Sequence, residues 1–193
     1  MSQKIPDSIF SDYASHLSAS LARFDWHPVA LLAKELKKIW HSKHHLFICG
    51  NGGSAANALH LATDFIYGIG KGIRPGLNVH ALTSNPAVMT CLGNDTSYDQ
   101  IFSCQLEALG NPGDLLIVLS GSGNSPNILH ILEKAKSLEI KTWAILGFSG
   151  GKAKTLADHV IHFPVDDMQL SEDFQMIVGH MLMKALSQHH SHA

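Results

Sequence analysis

The chain has 193 residues, of which 45% are hydrophobic and 16% are charged, and its formal net charge is −2. This composition indicates a well-buried globular protein rather than a disordered one, and it gives no reason to expect a nucleic-acid surface. The three cysteines, Cys49, Cys91 and Cys104, have neither metal-site nor redox-pair spacing. No apolar run has membrane-spanning length and no signal-peptide core is visible, so we expect a cytoplasmic protein without membrane contact.

Two amphipathic helices are predicted before the first strand. Apolar residues recur at near-helical spacing over 8–25, and a second broad apolar face runs from His27 to Trp40. Helices in this position have few partners within one α/β layer. Residues 1–45 are therefore predicted to serve oligomerisation, with simple capping of the domain as the alternative.

A glycine-rich turn follows the first predicted strand, 46–49, and leads into a helix that begins near Ala55. The turn contains Asn51, Gly52, Gly53 and Ser54. A strand, a glycine turn and a helix start present backbone N–H groups at the carboxyl edge of a sheet, and this geometry binds phosphate. A tight connection without a ligand remains the alternative at this point.

A second loop has the same character. The uninterrupted apolar stretch 114–119 is typical of a strand in the middle of a parallel sheet, and it runs into the serine-glycine segment 120–125. Three hydroxyls and two glycines at the end of a strand can surround a phosphate from several sides. A flexible linker fits poorly between a buried strand and an amphipathic helix. Ser120, Ser122 and Ser125 are therefore predicted phosphate ligands.

The rest of the chain alternates strands with helices. Further strands are predicted at 78–82, 142–146 and 159–164, and further helices at 86–92, 98–109, 126–137, 152–157 and 173–187. Five strands with intervening helices predict an α/β fold, a three-layer α/β/α sandwich around a mostly parallel sheet. The sheet-and-helix core is predicted over 46–187, within one domain covering 1–193. Ligands should bind at the carboxyl ends of the strands, where both loops lie.

Two helices carry residues capable of acid–base chemistry. His60 and Asp64 are four residues apart on the helix after the first loop, so both project from one face. An ordinary surface pair is an equal alternative. On the last helix, Ser171 is predicted as the N-cap, and His180 lies among mostly apolar residues, where a structural histidine would be the default.

The segments 50–57 and 120–125 resemble the two signature loops of sugar isomerase (SIS) domains, and the similarity extends over nearly the whole chain to His180. Within this superfamily the chain is most similar to the phosphoheptose isomerases. The resemblance implies the SIS fold, a homotetramer and a phosphorylated sugar as substrate. It also implies aldose–ketose isomerisation of sedoheptulose 7-phosphate to D-glycero-D-manno-heptose 7-phosphate through an enediol, supplying lipopolysaccharide biosynthesis, with no nucleotide cofactor.

The resemblance also implies roles for single residues. His180 and Asp64 correspond to the catalytic pair, with Asp64 standing where the family has glutamate. Asn51 and Asp95 correspond to groups that orient the sugar hydroxyls. A turn is predicted around Asp95, for which a helix cap or Asx turn is the alternative role.

Two histidines and two carboxylates could together hold zinc or another divalent metal ion. The candidate ligands are His60, Asp64, Glu172 and His180. Glu172 stands where the family has glutamine. Eight helical residues span about 12 Å, so Glu172 and His180 reach one ion only if the helix begins late or another subunit contributes.

Two alternatives to this enzyme stay open. Asp64, Glu172 and Gly121, which replaces a family threonine, depart from the family pattern. These departures favour a non-catalytic module that binds a phosphosugar or a protein partner, such as a bacterial replication initiator. An isomerase acting on a different phosphosugar is the other alternative.

Overall fold

A computed structural model describes residues 6–71 and 75–188 of the chain. The strands are β1 His45–Gly50, β2 Asn78–Ala81, β3 Leu115–Ser120, β4 Lys141–Leu146 and β5 His159–His162. The helices are α1 Ser8–Arg23, α2 His27–Ser42, α3 Gly53–Ile66, α4 Pro86–Asp95, α5 Ser103–Leu109, α6 Pro126–Ser137, α7 Ala153–Leu156 and α8 Met168–Ser187. Short 3₁₀ turns occur at Gly68–Gly70 and Tyr98–Gln100. None of the described helices is long and apolar enough to cross a bilayer.

The five strands form one sheet in the order β2-β1-β3-β4-β5, and every neighbouring pair is parallel. This confirms the predicted three-layer α/β fold. Side chains of β3 alternate between two separate cores: Leu115 and Ile117 pack with helices α2, α3 and α8, whereas Leu116 and Val118 pack with α5 and α6. Because both faces of the sheet are covered, the strand reads as a continuous apolar run.

The strand order places both glycine-rich loops at the same point of the sheet. The chain passes from β1 to β2 on one side, and then returns to β3 on the other side of β1. Gly50 pairs with Leu119, so the two loops begin at adjacent strand ends. In open α/β sheets such a reversal opens a crevice beyond the carboxyl ends of the strands, where ligands bind.

The two N-terminal helices differ in how they use their apolar faces. Leu32 and Leu36 of α2 are completely buried in the core shared with β1 and α8, so this helix is an integral layer of the chain's own fold. In contrast, α1 has no buried residue, and it exposes Ile9 and Phe10. The Tyr13 hydroxyl on α1 donates to Asp173 at 2.6 Å. Among the described residues of the predicted oligomerisation segment, 6–45, it is α1 that leaves large apolar side chains uncovered.

Two helices begin elsewhere than predicted. The last helix starts at Met168 because the Asp167 carboxylate accepts from the Leu170 N–H as its N-cap. The prediction that Ser171 is the N-cap was therefore wrong: Ser171 is buried within α8 and donates to the Asp167 carbonyl oxygen. The predicted helix 98–109 is divided into a 3₁₀ turn and α5, with Ile101 and Phe102 buried between them.

A histidine pair between β1 and the edge strand β2 leads to a prediction on pH. His45 Nδ1 and His80 Nε2 lie 2.8 Å apart, and burial together with the His45 charge lowers the pKa of His80 from 6.5. A histidine with a lowered folded-state pKa resists protonation in the native state. The contribution of His80 to stability should therefore be complete above about pH 6.5 and be lost progressively at lower pH. We expect the Tm of His80→Gln to fall less between pH 7.5 and 5.5 than that of the parent, as measured by calorimetry. Equal falls would contradict this assignment.

Candidate active site

The first loop bends sharply between β1 and α3. Gly52 has φ 57° and ψ −122°, a conformation that only glycine adopts without strain, and it is the N-cap of α3. A side chain at Gly50 would overlap Ser54, so the turn also needs a glycine there for close approach. The N-terminal N–H groups of α3 consequently lie at the end of β1. This is the anion-binding arrangement that the sequence predicts.

The second loop is held in shape by hydrogen bonds from its main-chain N–H groups to its own serine hydroxyls. Ser120 Oγ accepts from the Gly123 N–H at 3.0 Å, and Ser122 Oγ accepts from the Asn124 N–H at 3.3 Å. Ser125 is the N-cap of α6, but its side chain makes no capping hydrogen bond. The hydroxyl oxygens of Ser120 and Ser122 are thus acceptors within the loop. Their hydroxyl hydrogens are left to donate to a ligand.

An amide pair joins the first loop to the start of α6, the helix that follows the second loop. Asn51 Nδ2 donates to Asn127 Oδ1 at 2.8 Å, and Asn127 Nδ2 donates to Asn51 Oδ1 at 2.9 Å. The Tyr98 hydroxyl also donates to Asn51 Oδ1, at 3.1 Å. Asn127 is 1% exposed. The sequence assigned no role to Asn127 or Tyr98, because each acts through a contact between segments far apart in the chain.

Removing this bridge should loosen the site. We expect Asn127→Ala to destabilise the protein by about 2 kcal/mol, because the two hydrogen bonds between Asn127 and Asn51 are lost and the Asn51 amide is left with its bond from the Tyr98 hydroxyl. The matched control is Asn78→Ala, whose exposed amide makes a single 3.3 Å bond to the Lys43 carbonyl and should change little. Chemical denaturation of both variants measures the difference. Equal loss in the two variants would contradict a special role for Asn127.

His60, Asp64 and His180 converge between α3 and α8. The two histidine Nε2 atoms are 3.2 Å apart, and Asp64 Oδ2 lies 3.5 Å from His60 Nε2 and 3.7 Å from His180 Nε2. Both histidine side chains are 54% exposed, whereas that of Asp64 is 21% exposed. The group lines a groove with Lys184 and Met181. The spacing of four residues on α3 aims His60 and Asp64 at the same point of α8, where His180 faces them.

Glu172 does not belong to this group within one chain. Since α8 begins at Met168, a continuous helix separates Glu172 from His180, and the late start that would have let both reach one ion is absent. The Glu172 carboxylate instead lies against Gly53, and a side chain at Gly53 would overlap it. In the described part of the chain, the histidines and acids that could share an ion here are His60, Asp64 and His180 alone. The predicted four-ligand set is thus corrected to three for a single chain.

Asp95 is exposed at the last turn of α4 rather than in a separate turn. The Asn94 amide donates to Asp95 Oδ1 at 2.7 Å, and this hydrogen bond, with one from the Cys91 thiol, lowers the pKa of Asp95. The side chain is therefore a carboxylate, able to accept hydrogen bonds from sugar hydroxyls. The short connection to Tyr98, which bonds Asn51, brings this helix end near the first loop.

Comparisons with known proteins agree with this geometry. A family model described as "SIS domain" matches residues 10–147. A phosphoheptose isomerase of Helicobacter pylori (strain P12) is 36% identical over 97% of this chain and 98% of its own length. One from Akkermansia muciniphila is 42% identical over 71% of this chain and 72% of its own length.

Solved structures lead to the same family. A phosphoheptose isomerase from Francisella tularensis superposes with a TM-score of 0.88 and is 31% identical, with 94% of this chain and 97% of that chain covered. The phosphoheptose isomerase GmhA from Neisseria gonorrhoeae gives a TM-score of 0.81 at 25% identity, covering 93% of this chain and 99% of that chain. The similarity therefore includes the helices around the sheet as well as the sheet itself.

Proposed function

Because the chain belongs to the phosphoheptose isomerase family of SIS-domain proteins, we propose that it interconverts sedoheptulose 7-phosphate and D-glycero-D-manno-heptose 7-phosphate. The observation that carries this assignment is the convergence of His60, Asp64 and His180 on one point, with ligand atoms 3.2 to 3.7 Å apart. A module that only binds sugars or proteins has no need for such a set of proton-transfer groups. The predicted isomerase activity is preferred to the binding module for this reason.

The phosphate group of the substrate is assigned to the two loops. Backbone N–H groups at Gly52 and Gly53 begin α3 and attract an anion through the positive end of the helix. The hydroxyls of Ser54, Ser120, Ser122 and Ser125 add donors from the same edge of the sheet. Their shared position at adjacent strand ends supports this assignment.

The carbonyl end of the sugar is assigned to His180 and Asp64. Isomerisation moves one proton between C1 and C2 and one between the two oxygens, so it needs two groups that can both accept and donate. A carboxylate and an imidazole meet this need, and Asp64 Oδ2 and His180 Nε2 lie within 3.7 Å of each other. Asn51 and Asp95 orient the hydroxyl groups of the sugar that lie between its carbonyl end and its phosphate end.

The three converging groups also fit a zinc ion. Zinc bonded to nitrogen or oxygen at about 2.0–2.1 Å in tetrahedral geometry holds neighbouring ligand atoms roughly 3.4 Å apart. The separations of 3.2, 3.5 and 3.7 Å match that spacing. His60, Asp64 and His180 would hold the ion, which would polarise the substrate carbonyl. Asp64 Oδ2 and His180 Nε2 would then be metal ligands, so the proton transfer assigned to these two atoms applies to the metal-free site. Metal analysis of the purified protein, compared with His60→Ala, tests this: equal zinc in both would exclude the site.

A homotetramer is proposed from the surface around this group. Leu59, Ile66 and Met181 are exposed beside it on α3 and α8, and α1 exposes Ile9 and Phe10. Exposed apolar residues of this size, clustered on helices, are typical of surfaces covered by another subunit. The cytoplasm is the proposed location, and lipopolysaccharide biosynthesis the proposed pathway. Light scattering of the purified protein measures the number of subunits.

The function is tested by incubating the purified protein with sedoheptulose 7-phosphate and following aldose formation, with and without added zinc. Turnover that disappears in His180→Ala supports the proposal. Folded protein that binds inorganic phosphate but turns over no heptose phosphate would favour the non-catalytic module. Turnover of a different phosphosugar in the same assay would instead reassign the substrate.

A further inference from the structure

A buried hydrogen-bond chain connects the last helix to the first loop. Gln175 on α8 is 1% exposed. Its Nε2 donates to Ser54 Oγ at 3.0 Å, and its Oε1 accepts from Asn57 Nδ2 at 3.0 Å. Asn57 Nδ2 also donates to the main-chain carbonyl oxygen of Glu172 at 3.0 Å. Sequence reasoning assigned no role to Asn57 or Gln175.

The main-chain carbonyl oxygen of Glu172 fixes the direction of every hydrogen bond in this series. A main-chain carbonyl oxygen can only accept, so the part of the Asn57 amide that faces Glu172 is its NH₂ group. The same NH₂ group faces Gln175, which must therefore present its oxygen to Asn57. The NH₂ group of Gln175 then faces Ser54, whose oxygen is left as the acceptor.

The consequence concerns the single hydrogen of the Ser54 hydroxyl. Because Ser54 Oγ accepts from Gln175, its hydrogen points away from Gln175 and is available to another acceptor. A phosphate dianion offers only acceptors, so it requires donors from the protein. A serine that donated to Gln175 instead could not also donate to phosphate.

We propose that Gln175 and Asn57 are positioning residues that keep the Ser54 hydroxyl directed to donate to the phosphate group of the substrate. This inference rests on the proposed function, in which Ser54 is a phosphate ligand. It adds that α8, the helix that carries His180, determines the direction in which the Ser54 hydroxyl of the first loop donates its hydrogen bond. Neither residue touches the substrate in this proposal.

Calorimetric titration with inorganic phosphate tests the inference without relying on turnover. The variants are Gln175→Met, which has similar length but no donor, Ser54→Ala, and the two combined. We expect each single variant to weaken phosphate binding by about tenfold, because a hydrogen bond to a charged group is lost or misdirected. The combined variant should bind no more weakly than Ser54→Ala alone, since Gln175 acts through Ser54.

The matched control is Gln105→Met. Gln105 is a glutamine that is partly buried, and its amide donates to the carbonyl oxygens of Leu82 and Ile101 instead of to a residue of either loop. This variant should bind phosphate as the parent does, even if its Tm falls. Gln175→Glu is a second probe of nearly the same shape: its carboxylate can only accept, which turns the Ser54 hydroxyl inward and should also weaken phosphate binding.

The outcomes separate this inference from the proposed function. Additive losses in the combined variant would overturn the role of Gln175, as would unchanged phosphate affinity in Gln175→Met. Unchanged affinity in Ser54→Ala would overturn the inference. The proposed function would still stand if the parent protein turns over heptose phosphate, because that activity is measured in a separate assay. Steady-state kinetics give a further check, because a positioning role predicts a raised KM for sedoheptulose 7-phosphate with a smaller change in kcat.

Discussion

Replacing His180 by alanine should lower kcat by about 100- to 10,000-fold, with little change in KM. The imidazole lies 3.7 Å from Asp64 Oδ2 and 3.2 Å from His60 Nε2, so its removal leaves proton transfer without one of its two groups. Asp64→Asn should have a comparable effect, because the amide keeps the shape of the side chain but cannot accept a proton from carbon. Steady-state assays with sedoheptulose 7-phosphate measure both variants.

The His180 result needs a control for the loss of a surface histidine. His41→Ala serves this purpose, because His41 is exposed at the end of α2, where its ring bonds the Lys37 carbonyl of its own helix. We expect its kcat to equal that of the parent. Since the His180 side chain is 54% exposed, its removal should leave the Tm nearly unchanged. Full turnover in His180→Ala would remove this residue from the mechanism.

Replacing Gly123 by alanine should destabilise the protein by about 3 kcal/mol or more and weaken phosphate binding with it. Gly123 has φ 65°, and a Cβ atom there would overlap the Gly150 carbonyl oxygen. Backbone atoms of the 147–151 loop cannot move aside cheaply, because Gly147 N–H donates to the Gly121 carbonyl and Ala153 N–H to that of Gly123. The expected loss of stability therefore has two sources, the backbone strain of alanine at a positive φ and the overlap of its Cβ atom with the Gly150 carbonyl oxygen.

The control for Gly123→Ala is Gly93→Ala in helix α4. A Cβ atom at Gly93 meets no atom within 4 Å, and its φ is negative. Because alanine favours helix over glycine, this substitution should be neutral or stabilising by about 0.5–1 kcal/mol. Urea denaturation compares the two variants. A Gly123→Ala protein as stable as its parent would show that the second loop tolerates a different path.

The order of strands and helices could be predicted from the sequence because each element carries its own periodicity. The strand at 115–120 is buried on both faces, and this produces the unbroken apolar run that identified it. The start of α8 was missed because two residues, Asp167 and Ser171, are both good N-caps. Only the folded chain shows which of them meets a free N–H group.

The candidate site was predictable in parts. The phosphate loops and the pair His60 and Asp64 are local patterns, and His180 was found through family resemblance. The bonds of Asn127 to Asn51 and of Gln175 to Ser54 join residues 76 and 121 positions apart. A single sequence carries no signal for such pairings, because a buried asparagine or glutamine looks the same as an exposed one.

The central position of β3 has a consequence for the order in which the molecule opens. All six of its residues are buried and it is paired on both sides, so its amide hydrogens should exchange with deuterium only when the whole protein unfolds. Ser120 is the last residue of that strand. The second loop is thus anchored to the slowest-exchanging segment, whereas α1, without a buried residue, should exchange first.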